Sequence, residues 1–63
     1  RSLYNLSTYY YQIKEFQKAE KEVIEALRIE PENQEIKYLY ALILKELGKL
    51  GESNRLMQEL QNT

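Results

Sequence analysis

Apolar residues recur at three- and four-residue spacing from the start of the chain. Leu3, Leu6, Tyr10 and Ile13 fall on one face of a helix over residues 3–13, and the same periodicity assigns Tyr9 and Tyr10 to the interior. After a break at Lys14 and Glu15, the spacing resumes with Phe16, Ala19, Val23, Ala26 and Leu27, while Lys18, Lys21, Glu22 and Glu25 occupy the opposite, wet side. Lys18 with Glu22 and Lys21 with Glu25 are four apart, and each pair is expected to add about 0.3 kcal/mol, less in this Lys-first order. Pro31 has no amide donor and its ring clashes with the preceding turn, so the second helix must end by residue 29 or 30. Asn33 is then placed to cap a third helix. Ile36, Tyr40, Ile43 and Leu47 form a stripe of that helix, and Leu39 and Leu42 widen it. Gly48 stops it, and Leu50, Ser53, Met57 and Leu60 mark a fourth helix that fades into residues 61–63. No stretch alternates apolar and polar residues between turn signals, so strands are not expected. The breaks near Lys14, Pro31 and Gly48 reset the helical phase, which rules out a coiled coil.

The pattern also repeats. Leu6, Ser7, Tyr10, Phe16, Ala19, Val23 and Ala26 recur 34 positions later as Tyr40, Ala41, Leu44, Leu50, Ser53, Met57 and Leu60, large facing large and small facing small. Self-similarity at this period predicts an all-α fold of two stacked antiparallel helix-turn-helix hairpins, a short right-handed α-solenoid fragment. Residues 1–33 form the first hairpin, and residues 34–63 form a second, slightly truncated one. Small side chains are needed where the two helices of a hairpin cross closely, which accounts for Ser7 and Ala19.

Composition narrows the chemistry. The 63 residues contain no Cys or His, and all ten acidic residues are Glu, so the usual metal ligands and the usual general base are missing. No metal and no cofactor is expected. Nine basic residues against ten acidic ones, spread along the chain, give a net charge of −1 and no positive field to gather phosphates, so nucleic acid is not an expected partner. The longest apolar run, residues 41–44, is far shorter than the roughly 18 residues needed to cross a bilayer, which argues against a membrane partner. The compartment stays open, with a soluble, cytoplasmic setting favoured. The chain enters its repeat almost at once and is read as a segment of a longer protein.

Leu3, Leu6, Ser7, Tyr10, Ala19, Val23, Ala26 and Pro31 stand at the spacing of the tetratricopeptide repeat, and nearly the whole chain resembles two tandem copies of it. The second copy departs at Lys37, where a bulky residue is usual, and at Ser53 and Leu60, where Ala is usual. The resemblance implies a non-catalytic scaffold whose leading helices line a concave wall that binds a peptide or helix of another protein. On that wall it places Arg1, Tyr4, Asn5, Thr8, Tyr11 and Gln12 from the first helix, and Glu35, Tyr38, Leu39, Leu42, Lys45 and Glu46 from the third. Tyr offers large contact area with few rotors, a trait of interaction hot spots. Some members of that family grip the terminal carboxylate of heat-shock chaperones with Lys and Asn. Tyr4, Thr8 and Leu39 at those positions argue against such a clamp here. Pentatricopeptide repeats, the RNA-binding relatives, fit poorly because a basic groove is missing.

An enzyme is not expected. Ser2, Ser7 and Ser53 have no His to activate them, and the Glu residues of the second helix lie mainly on its wet side. The competing reading is a structural spacer, in which the chain's own neighbours cover the same wall. Arrays usually need about three repeats to stand alone, so self-association into a homo-oligomer is also expected.

Overall fold

In the computed structural model, which describes residues 3–62, the chain forms four helices: α1 (Leu3–Gln12), α2 (Phe16–Ile29), α3 (Gln34–Glu46) and α4 (Leu50–Gln61). α1 packs on α2, α3 on α4, and α2 on α3, with a lighter contact between α1 and α3. This is an all-α fold of two helix-turn-helix hairpins stacked side by side, a short solenoid-like fragment measuring 29 × 24 × 15 Å.

Each hairpin closes on a pair of small residues joined by one hydrogen bond. In the first, the Ser7 hydroxyl on α1 donates to the Ala19 carbonyl on α2 at 3.0 Å. In the second the roles are exchanged, and the Ser53 hydroxyl on α4 donates to the Ala41 carbonyl on α3 at 2.8 Å. All four residues are buried, because only side chains this small let two helix backbones come close enough for a hydroxyl to reach a neighbouring main-chain oxygen. A carbonyl has two lone pairs, so the acceptor can keep its helical bond as well.

The turns repeat with the same fidelity. After α1, Lys14 takes φ 65°, its amide donates to the Tyr11 carbonyl, and the Glu15 amide donates to the Tyr10 carbonyl. After α3, Gly48 takes φ 85°, its amide donates to the Lys45 carbonyl, and the Lys49 amide donates to that of Leu44. Both are the left-handed termination that satisfies the last carbonyls of a helix and folds the chain back on itself. Between the hairpins, α2 stops at Ile29, one residue before the Glu30 C-cap and two before Pro31. Asn33 caps α3 as its sequence position predicts: its side-chain oxygen accepts from the Ile36 amide at 3.1 Å, and its side-chain nitrogen donates to Glu30 at 2.8 Å.

The main core is the junction between hairpins. Ala19, Val23 and Ala26 of α2 meet Ile36, Leu39 and Ile43 of α3, all 6% exposed or less, with Leu3, Tyr4, Tyr10, Tyr11, Leu27, Tyr40 and Leu47 packed around them. The ion pairs cross element boundaries more than the helical spacing suggests. Lys49 meets Glu20 at 3.0 Å, tying the α3–α4 turn to α2, and Lys37 lies 3.5 Å from Glu32 and 3.8 Å from Glu59. The expected pairing of Lys21 with Glu25 is replaced, since Glu25 binds Arg28 through both its Nε and Nη2. Lys18 turns to the Tyr10 ring, 5.9 Å from its centroid, rather than to Glu22. Lys37, standing where a bulky residue is usual, buries its stem so that its side chain is only 15% exposed.

Candidate interaction surface

α1 and α3 are the leading helices of the two hairpins, and the light contact between them sets their outward sides next to each other. On α1, Tyr4, Thr8 and Tyr11 come together as half-buried residues, while Asn5 and Gln12 are exposed. The Thr8 hydroxyl donates back to the Tyr4 carbonyl at 2.9 Å, which fixes its rotamer and turns its methyl outward from that bond. Tyr11 meets Phe16 edge-on, ring centroids 5.6 Å apart, and both Tyr4 and Tyr11 pack against the junction core. On α3, Tyr38 is exposed, Leu42 is half-buried, and Glu35, Lys45 and Glu46 are exposed. Arg1 lies outside the described residues.

Leu39 does not belong to this wall. It is 6% exposed and sits in the core against α2, because a leading helix in a stacked array packs on the preceding hairpin as well as on its own partner. Three other expectations reverse for the complementary reason. Tyr9, Ile13 and Leu6, assigned to the interior, are 55%, 47% and 37% exposed. Their counterparts 34 positions on are Ile43, Leu47 and Tyr40, which lie in or against the junction core; among the described residues no helix covers the matching face of α1, so the same positions look outward.

The second hairpin also has an open hollow of about 180 Å³ between α3 and α4, lined by Tyr40, Leu44, Glu52, Arg55, Leu56 and Glu59. Sequence periodicity missed it because Leu56 lies beside the stripe of Ser53, Met57 and Leu60 rather than on it. In the first hairpin the positions matching Leu44 and Glu52 carry Tyr10 and Lys18, which lie over each other. The Tyr40 hydroxyl is pushed above the usual tyrosine range, first by burial and then by Glu20 and Glu52. Like any tyrosine it is protonated at neutral pH and can donate a hydrogen bond there, and the shift extends that state further into the alkaline range.

Among the described residues no three or more acidic, His or Cys side chains converge as a metal site would require, and no helix is long and apolar enough to cross a membrane. The architecture defines an all-α module of the helical-repeat kind, a fold compatible with scaffolding. No family model matches the chain, and no curated protein or solved structure matches it.

Proposed function

We propose that the chain is a non-catalytic protein-interaction module of the tetratricopeptide type, which takes a peptide or helix of another protein across the outward sides of α1 and α3. The observation that carries this reading is the pairing of Thr8 with Leu42. They are 34 residues apart and therefore occupy the same repeat position on adjacent leading helices, and neither is consumed by the core. Tyr4 and Tyr38, likewise 34 apart, flank them and supply aromatic area, while Gln12 and Lys45 offer polar contacts at the rim. A ligand here is held by apolar contact and hydrogen bonding rather than by a cluster of cations, because Lys45 is the one basic residue of this set among the described residues.

The test is selection of binding peptides from a displayed library against the 63-residue chain, followed by affinity measurement for Leu42→Glu and Thr8→Lys. Each substitution should weaken the selected peptides at least about tenfold, the effect of about 1.4 kcal/mol. Unchanged affinity with unchanged helical circular dichroism would remove the wall from consideration.

A further inference from the structure

The two ends of the molecule are the two halves of its own internal junction. At that junction, α3 lays Leu39, Ile43 and Leu47 against Ala19, Val23, Ala26 and Leu27 of α2. Shifted back by 34, the α3 face becomes Asn5, Tyr9 and Ile13 on α1, flanked by Leu6 in the place of Tyr40. Here the apolar members are the exposed ones: Tyr9 55%, Ile13 47% and Leu6 37%. Shifted forward by 34, the receiving face of α2 becomes Ser53, Met57, Leu60 and Gln61 on α4. Val23 is fully buried under α3, whereas Met57 is only half-buried, and Leu60 is also half-buried. Tyr4, packed against the junction core, becomes Tyr38, which is 51% exposed. Each end thus displays the apolar residues that its counterpart inside the molecule has covered.

We propose that the exposed face of α1 receives the α4 end of a second copy of this chain, head to tail, continuing the stack across molecules. Tyr9 and Ile13 of one copy then meet the α4 face of the next that carries Ser53, Met57 and Leu60, as Ile43 and Leu47 meet the α2 face that carries Ala19, Val23 and Ala26 within the chain. Charge does not oppose the contact. The internal pair Lys49 and Glu20 maps onto Glu15 of one copy and Asn54 of the other, a carboxylate facing an amide that can donate to it. The contact joins two different surfaces and leaves one of each free at the ends, so it adds copies without closing on a dimer. Its apolar contacts are Tyr9 and Ile13 on one side and Met57 and Leu60 on the other, none of which is assigned to the peptide wall.

The experiment is sedimentation of the 63-residue chain with two single variants, Tyr9→Glu on the α1 face and Met57→Glu on the α4 face, helicity being followed by circular dichroism. The unaltered chain should show a weight-average mass that climbs with concentration past twice 7.6 kDa without a plateau at two copies. Either variant alone has one usable face and one blocked face of different kinds, so it should sediment as a monomer. An equimolar mixture retains one intact α1 face and one intact α4 face, and should form a one-to-one dimer and stop there. A monomeric wild type at millimolar concentration, a variant that still pairs with itself, or a mixture that stays monomeric would each overturn the proposal. Should Met57→Glu lose helicity, Leu60→Glu blocks the same end, and Ile13→Glu does so for Tyr9. Tyr9→Glu should leave peptide affinity unchanged, so loss of assembly and loss of the peptide wall are read separately.

Discussion

In the first hairpin the hydroxyl at the helix crossing belongs to the leading helix, at Ser7; in the second it belongs to the trailing helix, at Ser53. The turns differ too: the left-handed residue is Lys14 in one and Gly48 in the other, yet the hydrogen bonds around them are the same. The contrast teaches what each position of the repeat requires. At the crossing the requirement is joint, two small side chains and one donor between them, and either helix can carry the donor. At the turn the requirement is on the backbone angle alone, and the two hairpins meet it at unequal conformational cost, since a side chain disfavours positive φ and glycine does not.

The largest effect that would test this comparison is crowding at the crossing. Ala19→Leu should cost about 3 kcal/mol, enough to unfold a chain this small in a thermal melt, because Ala19 is fully buried and belongs to both the helix crossing and the junction core. Ser7→Ala should cost only about 1 kcal/mol, and the exchange S7A/A19S should restore the stability to within roughly a few tenths of that, since it rebuilds in the first hairpin the arrangement of the second. If the exchange is as damaging as the overpacked variant, the joint requirement is wrong.

The turns come next. Gly48→Ala should destabilise by about 1 kcal/mol through backbone angle alone, for a Cβ at Gly48 meets no atom within 4 Å. Lys14→Gly should stabilise by roughly half that, the entropy of the unfolded glycine offsetting part of the relief. Denaturant midpoints moving in opposite directions sharpen the contrast; midpoints moving the same way break it.

Titration gives the smallest signal. Glu25 is held below 4.5, chiefly by its hydrogen bond from Arg28, so its contribution is present above that value and fades as pH falls through the lowered one. Lys49 is raised above 10.5, chiefly by its hydrogen bond to Glu20, and Tyr40 is raised above 10.0 by burial first. Both raised groups contribute below their ordinary values and lose that contribution as pH climbs through the raised ones. The melting temperature should therefore be level between about pH 5 and 9.5 and decline on either side, with Tyr40→Phe flattening part of the alkaline decline. A folded chain in which Tyr40 ionises at or below 10.0, read by tyrosinate absorbance, would contradict the assignment.

Much of this architecture was readable from spacing. The four helices, the stop before Pro31, the Asn33 cap and the Ser7 and Ala19 crossing all follow from local rules that need only neighbours in sequence. What spacing could not supply was which of several neighbours a leading helix faces. α3 carries apolar residues around most of its circumference because it packs on α2, α4 and α1 at once, so periodicity gave no phase by which to separate Leu39 from Leu42. α1 carries the same pattern, but among the described residues no helix covers the face that α2 covers on α3, so Tyr9 read as core while standing exposed. The ion pairs were illegible for a related reason. Glu20 finds Lys49, 29 positions away, only after the hairpins have stacked.

α4 leans on α3 and, among the described residues, on no other helix. Structure in a row of neighbour-to-neighbour contacts is lost from an end inward, so deuterium should reach the amides of α4 well before those of α2 and α3, whose flanks are both occupied. Anything that grips α4 from outside would then slow exchange not only there but one helix further in, making the last helix the place where the steadiness of the whole row is set.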